Sequence, residues 1–365
     1  MYPDWPKSVA DLAPLPLCDG PKLKPFMFRG PQRIEFLEYV GEGSHAHVFK
    51  VRIQEKIYAL KLFRFVYDDD WLIPTDDTDD DIQTMSALYN YAEPFSCECR
   101  AFGRIQEAGL ENLAIRCFGY LLLDEEHERT MMNQFSHLEL EFNGNMDEPG
   151  LEEVRSRFPG KDGRDPPIRG IVKEFGQCAE GLTAPLARKL LKDIKSLQGL
   201  GIINMDVAHR QVVSGRLSDF STAITVRHFV TSPELNPNLN PDEISAMEFE
   251  TFQLSSNDYW AFDAMVRKWN WENKRKITVY AFPGGDGCQI KYNLRSKRPT
   301  LPSRWRFYTF VDPREGQGVS KKRKPARWYY ECDDMAARRL NRKGGFSAFH
   351  EWEFKDGYIY PRRRA

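Results

Sequence analysis

The stretch from 201 to 221, GIINMDVAHRQVVSGRLSDFS, constrains the fold more than any other part of the chain. Asp206 follows a short apolar run, Gln211 comes a little later and Asp219 opens Asp-Phe-Ser, with Val212, Val213, Gly215 and Leu217 lying between. Apolar residues about a glycine predict a strand-turn-strand hairpin that presents three oxygen-bearing side chains. Phosphoryl transfer uses such a set: one carboxylate orients a hydroxyl, a second holds magnesium against the phosphates and an amide assists the metal. Thr183 to Leu200 leads into this hairpin as a helix, with Thr183 at the N-cap, Pro185 in the first turn and apolar residues at 186, 190, 191, 194 and 197.

Upstream, Arg33 to Val40 and Phe49 to Ile53 read as strands joined by the turn Gly41-Glu42-Gly43-Ser44-His45-Ala46-His47-Val48. Glycines there let backbone N–H groups approach a phosphate, although such a turn also serves as an ordinary hairpin. A third strand carries Tyr58-Ala59-Leu60-Lys61 within the apolar run 57 to 66. A lysine in such a run needs a partner or a route to solvent. Glu98 is the candidate partner, on the flank of a helix (Phe95 to Glu107) whose apolar stripe is Phe95, Cys99, Phe102 and Ile105; Arg100 or Arg104 is an alternative mate for it. Leu113 to Leu123 and Arg169 to Gly176 read as further strands, and Lys173 stands in the latter as a cation able to pair with Glu98.

The order glycine turn, lysine strand, glutamate helix, Asp206 loop and Asp-Phe-Ser resembles the protein kinases. The resemblance implies an α+β, bilobal fold with a small β-rich N-lobe and a larger helical C-lobe. It implies that ATP is held by Gly41, Gly43, Val48, Ala59, Lys61, Glu174 and Gly176, that Mg2+ is held by Asp219 and Gln211, and that Lys61, Glu98 and Asp206 are catalytic. It also makes Ser232-Pro233-Glu234 the close of an activation segment. Asp258-Tyr259-Trp260-Ala261-Phe262 then starts a buried helix whose aspartate caps it and braces the catalytic loop, with Met265, Val266 and Trp269 continuing its apolar face. Departures from the family are Asn204-Met205 before Asp206, Ala208 in place of a lysine, Gln211 in place of an asparagine, Ala46 in place of the third glycine, and Lys173, which the resemblance sets at the back of the nucleotide pocket, where it would pair with Glu98 or occupy the adenine site. Residues 15 to 270 are similar to a group of fungal kinase-like proteins of the inner kinetochore complex, which implies partners among the subunits of a protein complex.

A chain of 365 residues has room for two lobes. The expected organisation is an extended arm over 1–32, an N-lobe over 33–176 with an acidic insert (68–81) and a second insert (124–167), a C-lobe over 177–320 that diverges after 274, and a basic tail over 321–365. Further strands are expected at Ile277 to Phe282 and Trp305 to Phe310. The acidic insert has no calcium-loop spacing, and Cys97 and Cys99 lack the company a zinc site needs. Seven dispersed cysteines predict reduced thiols. No run approaches the roughly 18 apolar residues of a membrane span, and the N-terminal stretch lacks the pattern of a signal peptide. A formal charge of -1 confines any acidic partner to a local patch. The cluster Lys321-Lys322-Arg323-Lys324-Pro325-Ala326-Arg327, with more arginines at 338, 339, 342 and 362 to 364, predicts nuclear import, with the cytoplasm as the alternative. No recognition motif accompanies it, so direct nucleic-acid binding is not expected. Two readings stay open: a Ser/Thr protein kinase acting on protein substrates, and a catalytically degenerate kinase-like scaffold, a pseudokinase.

Overall fold

The computed structural model describes residues 1–67, 82–144, 154–177, 181–235, 238–281, 309–311, 327–329, 350–355 and 358–363. The acidic insert 68–81, the cysteines at 178, 288 and 332, and the basic residues 321–326, 338, 339, 342 and 364 lie outside the described residues. The chain is a mixed α+β protein in two compact units, Met1–Gln177 with Asp219–Thr222, and Cys178–Ser218 with Ala223–Ala365.

In the first unit, strands β1 (Glu35–Gly43), β2 (Ala46–Ile53), β3 (Lys56–Phe63), β4 (Cys117–Leu122) and β5 (Arg169–Glu174) form an antiparallel sheet in the order β1-β2-β3-β5-β4. β2 alternates buried and partly buried residues, whereas β3 is buried over its last four residues and β5 over its first five. Two helices follow β3, α1 (Ile82–Ala92) and α2 (Pro94–Glu107). Glu93 caps α2 by accepting from the Ser96 N–H, and its other oxygen takes Arg169 at 2.6 Å, so one buried carboxylate starts the helix and ties it to β5.

The N-terminal arm does more than lie on this body. Leu23 is fully buried, and the arm pairs with the edge strand β4: the Phe26 N–H donates to Tyr120 O at 2.7 Å and the Tyr120 N–H to Lys24 O at 3.1 Å. Covering that edge satisfies backbone groups that would otherwise invite foreign strands. Two glycines make room for it. A Cβ at Gly103 of α2 would stand 2.5 Å from Lys22 O, and Gly119 of β4, at φ +135°, has Lys24 O at 2.7 Å from where a Cβ would fall. Tyr2 stacks edge-on against Phe65 and Tyr89 and lies over the buried Arg169 guanidinium.

The expected second insert, 124–167, contains a regular helix, α3 (Glu125–Gln134), with Asp124 as N-cap on the His127 N–H. Its weak apolar periodicity hides it, because only Met131 is buried and the helix rests on its cap and first-turn carboxylates instead.

In the second unit α4 (Ala184–Gly199) begins at the Thr183 cap as expected, with Oγ1 accepting from the Leu186 N–H. Four two-residue strands follow: β6 (Ile202–Ile203), β7 (Val212–Val213), β8 (Arg216–Leu217) and β9 (Ile224–Thr225). The β7-β8 hairpin turns at Ser214-Gly215, both at positive φ (48° and 72°), the pairing a tight right-twisting hairpin demands. β6 pairs with β9, and Ser232-Pro233-Glu234 falls at a 3-10 turn, Pro233–Leu235.

Helix α5 (Pro241–Glu272) corrects the reading of Asp258 as a helix start: it sits in the middle of the helix, which already begins at Pro241. The strand expected at 277 to 282 does not form over the described residues 277–281. There the Asn270 side chain accepts from the Ile277 N–H and donates to its carbonyl, taking both backbone groups a strand would need. Further on, β10 (Thr309–Val311) pairs with β11 (Arg327–Tyr329) and β12 (His350–Lys355) with β13 (Tyr358–Arg363).

Candidate functional site

Position on β3 aims Lys61 at the face covered by α2, and position on α2 aims Glu98 back at the sheet. Lys61 Nζ donates to Glu98 Oε2 and to Asp219 Oδ1, both at 2.7 Å. Lys173 of β5 makes a second ion pair, its Nζ on Glu98 Oε1. Neither arginine near Glu98 in sequence is used: Arg100 donates to Cys18 Sγ and Asp19 O, and Arg104 faces Glu107. Two lysines and two carboxylates thus converge in the first unit, with Glu98 fully buried and both lysine side chains under a tenth exposed.

Lys61 and Asp219 hold each other ionised. Burial alone would raise the Asp219 pKa, but Lys61 foremost, then Lys173 and a hydrogen bond from the Ser221 N–H, hold it far below the usual carboxylate range. Burial would lower the Lys61 pKa, and Asp219 and Glu98 together reverse that and raise it. A lone buried charge is costly; a set in which each cation meets a carboxylate avoids that cost.

The glycine turn closes toward this cluster. His45, at its tip, places Nδ1 3.2 Å from Ser221 Oγ, and Phe220 is buried edge-on against Phe102 of α2. Gly41 needs its glycine for φ +151° at a bulge, but a Cβ on Gly41 or Gly43 would meet nothing within 4 Å, so neither backs a tight cradle. Val48 stands in register with Gly41 on one side and Lys61 on the other, and Ala59 is opposite Lys173. Glu174 ends β5, its N–H donating to Arg116 O, and Gly176 follows partly exposed.

In the second unit, Asp206 is held by Arg210 and, at 2.6 Å, by Gln211 Nε2. Arg210 supplies, four residues after the aspartate, a cation that Ala208 cannot. Gln211 Oε1 is buried without a hydrogen bond. Asp258 braces this loop from α5: its carboxylate accepts from the backbone N–H groups of Asn204 (3.0 Å) and Met205 (2.8 Å) and from Gln198 Nε2. Burial pushes its carboxyl up to about 6 against those hydrogen bonds.

Sequence reasoning missed His45 and Arg210. The signal for Arg210 was its spacing from Asp206; for His45, its place at the tip of the turn. The residues as arranged fit magnesium and nucleotide poorly. Asp219 Oδ1 is already taken by an ammonium and an N–H, the glycine turn rests on Ser221, and Gln211 directs its N–H at Asp206.

Fold and site together define an α+β protein organised on a charge-balanced set of two lysines and two carboxylates, of which Lys61, Lys173 and Glu98 are buried and Asp219 is partly exposed. Residues 12–224 match the family described as Kinetochore Sim4 complex subunit FTA2. That match covers more than half of the chain, which belongs to this family. A family of kinetochore subunits brings a kinetochore-associated role, partners within a protein complex and a nuclear location. No curated protein matches the chain. Among the described residues, no helix is long and apolar enough to cross a membrane.

Proposed function

We propose that the chain is a bilobal kinase-like domain that serves a kinetochore complex as a scaffold, its phosphotransfer groups retained to hold the fold. The observation that carries this reading is the second cation, Lys173 on Glu98. With Glu98 satisfied by Lys173, Lys61 is at liberty to bond Asp219 directly, and the cluster is neutral without a metal. Asp206 is likewise occupied, by Arg210 and Gln211. Catalysis of phosphoryl transfer rests on positioning and preorganised charge, so groups bound to one another are badly placed for it.

A second reading, an ATP- and Mg2+-dependent Ser/Thr protein kinase, draws support from the Lys61 to Glu98 bond and from the unsatisfied Gln211 Oε1. The test is Mg2+-dependent transfer of labelled phosphate from ATP to the chain itself or to a protein mixture, in the wild type, Asp206→Asn and Asp219→Asn. The scaffold reading expects the same background in all three. Transfer by the wild type that each substitution abolishes would replace it with the kinase reading.

A further inference from the structure

Helix α5 is apolar on two sides. One side is buried through Tyr259, Phe262 and Val266. On another, Trp260 is 42% exposed and Trp271 84% exposed. At 100° per residue these two tryptophans stand about 20° apart around the helix and roughly 16 Å apart along it, with the exposed Arg267 in the same stripe. A solvent-facing helix side is ordinarily polar, and large exposed indoles in a row mark a surface that another molecule covers. The charge about them is mostly positive: among the described residues 264–281, Arg267, Lys268, Lys274, Arg275 and Lys276 are exposed, against one exposed carboxylate, Glu272, 3.9 Å from Lys268.

We propose that this face of α5 docks an acidic segment of another protein, its apolar side chains seated on Trp260 and Trp271 and its carboxylates meeting Arg267 and the cations that follow the helix. This goes beyond the scaffold reading, which assigns the chain to an assembly without saying which surface binds. Tryptophan and arginine are the residues on which protein interfaces concentrate their binding energy. A membrane-lying helix keeps its cations on the face opposite its tryptophans, whereas Arg267 lies between them. A nucleic-acid backbone would meet the cations but offer the two indoles no apolar side chain to seat.

The test uses the full-length chain, immobilised, to select from a display library of 15-residue peptides, with counter-selection on the Trp260→Ala/Trp271→Ala variant. Acidic peptides with aromatic or aliphatic anchors are expected to be enriched. Their anisotropy-measured affinity should fall about 30-fold with either single tryptophan substitution, and fall with added salt and with Arg267→Glu, while the melting temperature stays unchanged. Enrichment of neutral or basic peptides, or of none, overturns the proposal. So does tryptophan-dependent binding of duplex DNA or of phosphatidylserine vesicles in place of peptide, or self-association lost in the double variant. Shielding of both indoles from acrylamide in the monomeric chain would also overturn it, since the chain would then cover its own stripe.

Discussion

Glu98→Gln is the sharpest probe of the buried cluster. Glu98 has no exposed side-chain surface and meets two ammonium groups, while Lys61 also holds Asp219 at 2.7 Å. Neutralising Glu98 leaves two buried lysines with one carboxylate, and removing one member of a buried ion pair costs about 3–5 kcal/mol. Lys173→Met, close in volume, leaves two carboxylates with one lysine and should cost about 3 kcal/mol on the same argument. If the two substitutions acted independently, their sum would be roughly 6 kcal/mol or more. The double variant, however, leaves Lys61 facing Asp219 in a neutral pair, so it should cost no more than about either single change. The coupling would then be at least about 3 kcal/mol, well outside the roughly 0.5 kcal/mol within which independent sites add. Urea unfolding followed by far-UV circular dichroism measures all four proteins, provided the m-values agree. Additivity within that margin would refute the account of Lys173 as the charge that closes the cluster.

Asp258 gives the protein a pH signature. Its folded pKa of about 6 lies above its ordinary 3.8, so the stability it contributes is complete below 3.8 and is lost as pH rises through 6. Over that window the change is about 3 kcal/mol, and Asp258→Asn should flatten the melting-temperature profile between pH 4 and 6; an unaltered slope would count against the burial argument. Gly103→Ala should lift the arm from α2, because the Lys22 backbone cannot give the room that a flexible side chain would. Limited proteolysis should then cut within residues 1–26 at least tenfold faster, and an arm equally protected in the variant would show that the contact is slack.

Much of the first unit was legible in its residues. The spacing of apolar groups predicts α2 and β5 nearly to their ends and places β1 to β3, although β1 and β2 run on through most of the expected turn 41–48, and Thr183 and Pro185 announce α4, because strands and caps are written in residues a few positions apart. Where the rule that shapes a segment is not periodicity, the reading fails: α3 stands on its cap and Asn270 unmakes a strand. Asp258 was mistaken for a helix start because an aspartate before aromatic residues looks like a cap from close by, whereas the N–H groups it accepts from are 54 and 53 residues away.

By itself, then, the sequence determined that Lys61 would need a partner or a route to solvent, and that Glu98 lay on a helix able to offer the first, since a cation in an apolar strand is costly unless paired or solvated. It also determined the family, through residues 12–224. Only the tertiary structure decided which charges meet: that Lys173 takes the far oxygen of Glu98, that Asp219, 158 residues from Lys61, completes the set, and that Arg210 and Gln211 occupy Asp206. The physical reason is that propensity and capping act over a turn or two of chain, whereas the pairing of buried charges is settled by distance in space, which only the packed sheet and helix define.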